Sequence, residues 1–139
     1  MSSPNESKYI APKPIPGEDS APFWEGISRH ELVFQRCSDC GHWIHPPRPT
    51  CPKCRSLEKD WVPCAGKGTV YASVTYQNAP HPGFEAPYSV ILVELEEGMR
   101  LVSNMMDTPP KDIYIGIPVE VVFDDITEDL TLPRFRKVE

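Results

Sequence analysis

Four cysteines constrain this chain more than any other feature: they read Cys37-x-x-Cys40, then ten residues, then Cys51-x-x-Cys54. Two such hooks can close a tetrahedral thiolate cage around one ion, which predicts a small zinc ribbon near the front of the protein. The residues beside the hooks agree: Gly41 can take the positive φ that a knuckle needs, and Pro52 stiffens the second loop. Four thiolates leave no open coordination position, so a metal-bound water for hydrolysis is not expected. Tetrahedral sulfur also suits iron, but Arg55 follows Cys54 where a doubled redox knuckle prefers glycine, so zinc is favoured. A disulfide pair is the third reading. It needs an oxidising compartment, and no positively charged start followed by an apolar stretch marks a secretion signal. With four cysteines at hand, His42 and His45 between the hooks read as surface or loop-packing residues. Cys64, set among Val62, Pro63 and Ala65 with no spaced partner, reads as a small buried side chain.

At 139 residues the chain has room for one compact domain plus a metal-held module, not for two large cores. Its formal net charge of −6 argues against a general nucleic-acid binder, because affinity for phosphate backbones comes from clustered Lys and Arg. No run approaches the ~18 consecutive apolar residues of a membrane helix, and neither end carries a lipidation motif. The expectation is a cytoplasmic protein with no membrane partner. Pro4, Pro12, Pro14 and Pro16 mark residues 1–19 as an extended arm.

Residues 20–60 are expected to hold a short helix and the ribbon. Ser20 reads as a helix cap, Pro22 suits the first turn, and Phe23, Trp24 and Ile27 share one face. That face can dock in a partner's groove or cover the protein's own core. A brief strand over Leu32–Gln35 delivers the chain to Cys37, and the proline-rich stretch from Trp43 to Pro49 is predicted to cross extended between the hooks. Residues 61–139 carry five short β runs: Thr69–Tyr76, Tyr88–Leu95, Arg100–Met106, Ile117–Phe123 and Leu130–Arg136. The second run is so dense in Val90, Ile91, Leu92 and Val93 that both of its faces are expected to be covered. The fold class is therefore mainly β, with a short N-terminal helix, a zinc ribbon and a five-stranded OB-fold barrel; a sandwich is the rival.

The order of parts carries a resemblance. Phe23-Trp24-Glu25-Gly26, Gln35-Arg36-Cys37, His45-Pro46-Pro47-Arg48 and the second hook are followed by Gly66-Lys67-Gly68-Thr69-Val70-Tyr71, Pro87-Tyr88 and Val93-Glu94-Leu95. Gly116 to Val121 and Leu132-Pro133-Arg134-Phe135 close the series. From about Pro22 to Phe135 this resembles the acyl-CoA-associated OB-fold family with an N-terminal rubredoxin-like zinc ribbon. The resemblance implies a small accessory subunit that binds a thiolase-like enzyme acting on β-oxoacyl-CoA or related thioesters, including aromatic and steroid side-chain substrates. A hydratase or retro-aldolase partner is the alternative. It implies structural Zn2+, a hetero-oligomer and no catalytic residue in this chain.

Other functional readings rest on the residues themselves. Cys64, His81, Glu85 and Asp107 can do acid, base or nucleophilic work, but none sits in a recognisable catalytic spacing. Tyr71 and Tyr76 could stack bases, as OB-folds do, yet the acidic groups from Glu94 to Glu97 and Asp124 to Asp129 would repel a polyphosphate. For a CoA thioester shared with a partner, Arg36, Arg48, Lys53, Arg55 and Lys67 form the pool of phosphate contacts. Trp43 offers a surface for adenine or the pantetheine arm. Solvated surface charge is the plain alternative for those cations.

Overall fold

The computed structural model describes residues 13–79 and 81–138. The expected arm therefore lies largely outside the described residues. Its described part, from Lys13 to Asp19, contains no helix or strand, and Pro14 and Pro16 border a hollow with Trp24, Leu130 and Thr131.

One helix follows, α1 (Ala21–Ser28), with proline in its first turn as expected. Ser20 occupies the N-cap position but does not cap: its hydroxyl accepts the Gly17 N–H at 3.0 Å instead. Eight residues are too few to hold a helix in water, so tertiary packing must do so. Phe23 and Ile27 are buried in the main core, and Trp24 leans edge-on against Phe23 at 5.3 Å. The apolar face of α1 thus covers the protein's own core.

The chain then forms a three-stranded antiparallel sheet from β1 (Val33–Cys37), β2 (Trp43–Ile44) and β3 (Lys59–Pro63), in the order β2-β1-β3. Only β1 is legible in sequence. β2 is a two-residue pairing at the start of the expected extended crossing. β3 aligns Trp61 with Gln35, and its Lys-Asp-Trp-Val-Pro sequence has no alternation to announce it.

A five-stranded antiparallel sheet completes the molecule: β4 (Lys67–Tyr76), β5 (Tyr88–Leu95), β6 (Arg100–Ser103), β7 (Pro118–Asp125) and β8 (Thr131–Lys137), ordered β6-β5-β4-β7-β8. All five expected strands are present, with ends shifted by up to three residues. The sheet curls until its outer strands meet at one end, where Met105 bridges Phe135 in parallel and Phe135 N–H donates to Asn104 C=O at 2.9 Å. The result is a half-barrel with an OB-type strand order, closed at one end of the seam between β6 and β8. The long spacer before β7 holds a single 3-10 turn, Pro110–Asp112.

Two devices shape the curl. Between Val70 and Ala72 the register of β4 against β5 slips, leaving Tyr71 as an extra residue that bends the strand. At Gly68, a side-chain Cβ would sit 2.1 Å from the Glu94 carbonyl oxygen, so only glycine permits this approach of β4 to β5. The core is continuous: Phe23, Leu32 and Phe34 pack in the same cluster as Val70, Val93, Ile117 and Phe135. Around the cysteines there is only a separate cluster of Cys37, Ile44 and Cys51.

Candidate metal centre

Each cysteine hook is built the same way. In the first, Gly41 N–H donates to the Cys37 carbonyl at 3.0 Å with Gly41 at φ +77; in the second, Arg55 N–H donates to the Cys51 carbonyl at 2.8 Å with Arg55 at φ +66. Arg55 therefore adopts the left-handed turn for which a redox knuckle prefers glycine, so its identity does not prevent the knuckle geometry. Backbone N–H groups also point at sulfur, from Cys40 to Cys37 Sγ at 3.5 Å and from Lys53 to Cys51 Sγ at 3.4 Å. Such donors favour the thiolate over the thiol. The hooks are tied across their tips, where the Ser56 hydroxyl donates to the Asp39 carboxylate.

The four sulfurs of Cys37, Cys40, Cys51 and Cys54 all lie within 4.8 Å of one another. Cys37 Sγ is 3.5 Å from Cys54 Sγ, and Cys40 Sγ is 3.6 Å from Cys51 Sγ. These separations are far above a disulfide bond of about 2.05 Å, and all four cysteines are free. They are near the about 3.8 Å edge of a tetrahedron with metal–sulfur bonds of about 2.3 Å. The cluster is positioned to bind a metal.

Its electrostatics spread the sulfurs apart. Hydrogen bonding from the Cys40 N–H holds the Cys37 thiol below its usual range. For Cys51, burial opposes ionisation, but the N–H groups of Cys54 and Lys53 outweigh it and bring the thiol down to about 7. For Cys54, the Ser56 N–H favours the thiolate, yet the neighbouring Cys37 sulfur and burial override it and push the thiol up to about 12. A cation at the centre would relieve this competition by binding all four as thiolates.

His42 and His45 are not part of the sulfur cluster. The His45 ring packs edge-on to Phe34 at 5.0 Å and against Phe23 at 5.8 Å, and burial lowers its pKa from 6.5. Cys64 is half-buried, as expected of a packing residue. Burial and then Glu97 push its thiol up to about 12, which leaves it a poor nucleophile.

The six candidate contacts for CoA are not gathered into one site. Arg36 and Trp43 meet across β1 and β2, with the guanidinium 4.8 Å from the ring centroid and its Nε donating to Gly41 C=O at 3.1 Å. Trp43 packs at the margin of the core. Lys53 and Arg55 sit on the second hook, Arg48 on the crossing and Lys67 at the start of β4, all exposed. Arg48 is fixed through its backbone, whose N–H donates to Gln35 Oε1 at 2.9 Å from a side chain that is otherwise buried. None of the six lines the apolar groove of about 520 Å³ that opens along the β6–β8 seam. That groove is walled by Phe23 and Trp24 of α1, His45 to Pro47, Leu101 and Leu132. Four separate stretches of chain form it, so no local spacing announces it.

The structure thus joins a four-cysteine ribbon to an OB-type half-barrel through one shared core. Residues 24–60 match the family described as the ChsH2 rubredoxin-like zinc ribbon domain, and residues 61–124 match the ChsH2 C-terminal OB-fold domain. The chain belongs to the DUF35 family. A DUF35 domain-containing scaffold protein of Methanocaldococcus jannaschii is 43% identical over 110 residues, covering 76% of this chain and 77% of that protein. A solved structure described as an Ltp2-ChsH2(DUF35) aldolase is 44% identical with a TM-score of 0.84, covering 90% of this chain and 98% of the matched one. A probable enoyl-CoA hydratase alpha subunit of Thermomonospora curvata is 44% identical over 93% of this chain. The chain spans only 40% of that subunit's length. Benzoylsuccinyl-CoA thiolase subunit BbsA of Thauera aromatica is 28% identical, with 68% of this chain and 59% of that protein covered. Among the described residues no helix is long and apolar enough to cross a membrane.

Proposed function

We propose that this chain is a non-catalytic, zinc-binding accessory subunit of a complex that acts on acyl-CoA, with a thiolase-type enzyme as its partner. The observation that carries the reading is the closed sulfur cluster. It is the candidate metal site found among the described residues, and its four thiolates would fill a tetrahedral ion completely. Zinc held there stabilises the ribbon and leaves no position for substrate. The relatives support a supporting role too, since they are described as scaffold proteins or as subunits of hydratase and thiolase enzymes. The chemistry, including any nucleophilic cysteine, belongs to the partner. Arg36, Trp43, Arg48, Lys53, Arg55 and Lys67 serve at most as auxiliary contacts for CoA held mainly by that partner. Free thiolates poised for a metal are compatible with a reducing compartment, and the proposed location is the cytoplasm.

A hydratase partner is the second reading, favoured by the 44% identity to the Thermomonospora curvata subunit over nearly all of this chain. Affinity capture from the native host, followed by mass spectrometry and thioester assays, separates the two. The isolated chain is expected to be inert and the captured complex active. Thioester turnover by the isolated chain, or recovery of nucleic acid in place of a CoA enzyme, would overturn the proposal.

A further inference from the structure

Alternation along β5 sets Ile91, Val93 and Leu95 into the core, so Tyr88, Val90 and Leu92 point to the opposite, outward face. The pairing extends that face across three strands: Val74 lies opposite Val90, Tyr76 opposite Tyr88, and Val102 opposite Leu92. An antiparallel sheet with one solvated face should carry polar residues there. Here the outward positions are apolar, and Val74, Tyr76 and Val102 are 57%, 47% and 65% exposed. The strip also lacks free charge. At its border the Arg100 guanidinium pairs with Glu94 at 3.2 Å and covers the Tyr71 ring at 3.7 Å. An anionic ligand or nucleic acid finds no unpaired cation there.

We infer that this outward face of β4, β5 and β6, formed by Val74, Tyr76, Tyr88, Val90, Leu92 and Val102, is the surface on which the CoA-enzyme partner sits. The inference rests on the function proposed above and assigns its docking site. Area and shape select the occupant. With Val74, Tyr76 and Val102 each about half exposed or more, the strip has the few-hundred-Å² scale at which apolar patches on a monomer are often functional. Two copies meeting through the strip alone, a few hundred Å² from each, would fall short of the about 1,200 Å² at which specific stable interfaces begin. Because the sheet curls around its core, this face is convex, and two convex faces touch over even less. A larger subunit with a concave apolar surface can cover the strip and reach past it to β6, which has a neighbouring strand on one side only until Asn104 and Met105 meet Phe135.

The test uses the purified full chain and the CoA-enzyme subunit identified by capture. Hydrogen exchange on the wild-type complex should slow at Ser73–Tyr76 and Ser89–Leu92. The double variant Val74→Lys with Tyr76→Lys should weaken the dissociation constant about tenfold or more. The control Ile115→Lys, at a position 70% exposed in the spacer before β7, should change it less than about twofold. Metal content and circular dichroism of each variant should match the wild type. Tight binding without protection of these amides, or unchanged affinity of a folded double variant, would overturn the assigned face while leaving the partnership intact. A self-association abolished by the double variant would give the strip to a second copy instead. Failure of any CoA enzyme to bind the wild type would remove both the face and the function on which it rests.

Discussion

His45 serves packing, as its place beside a complete set of four cysteines leads one to expect. It lies between the cysteine hooks, yet its ring is wedged between Phe23 and Phe34, and its Nδ1 is buried without a hydrogen-bond partner among the described residues. Burial disfavours the charged imidazolium, so the folded pKa lies below the ordinary 6.5. The sign follows. Above about pH 6.5 the ring is neutral in both states; as pH falls through that value, the unfolded chain takes up a proton that the folded one resists, and stability is lost. Thermal melts between about pH 7.5 and 5, with zinc kept saturating, should show this decline. His45→Phe should flatten the part of it that the metal site does not cause, and an identical decline in the variant would show that the ring does not titrate as described.

At the level of the element, β4 decides the shape of the half-barrel. Its alternation is plain in the sequence, and so are Gly66 and Gly68 at its start, but neither the slip at Tyr71 nor the closeness to β5 can be read from them. Gly68→Ala places a methyl group against the Glu94 carbonyl, which belongs to a paired strand and cannot rotate aside. A loss of about 2–3 kcal/mol is expected, the range of overpacked interiors. Chemical denaturation measures it, and a change under about 0.5 kcal/mol would mean that the two strands can separate freely. The helix α1 gives the complementary lesson. Its apolar face was visible at Phe23, Trp24 and Ile27, while the choice between a partner and the protein's own core was settled by packing on Phe34 and the barrel residues.

Across the whole molecule, the two halves depend on each other unequally. Leu32 and the strands β1 and β3, through Phe34 and Trp61, reach the barrel core, whereas at the cysteine end the buried cluster among the described residues is Cys37, Ile44 and Cys51. The hooks are therefore expected to depend on a bound metal, which can contribute ~10 kcal/mol or more, and the barrel on its apolar core. Replacing Cys40 by serine should abolish stoichiometric zinc and expose the amides of residues 37–58 to exchange, while β4–β8 stay protected. Elemental analysis and hydrogen exchange check both halves of that expectation, and global unfolding would show that the barrel cannot stand without the ribbon. The ligand set, the five β runs and the order of ribbon before barrel were all present in the chain by itself, because hook spacing and period-two alternation are local and each is imposed by geometry over a few residues. The density of Val90 to Val93 suggested a strand covered on both faces, but only the side of Ile91, Val93 and Leu95 is buried, and Val90 and Leu92 stay partly exposed because no element of the described residues packs over them. Tertiary structure alone decided which contacts join distant segments: the β2 and β3 pairings, the wedged His45, the groove along the β6–β8 seam and the uncovered outward strip. Those features arise where stretches far apart in sequence are brought together by a shared core, and no local period records that meeting.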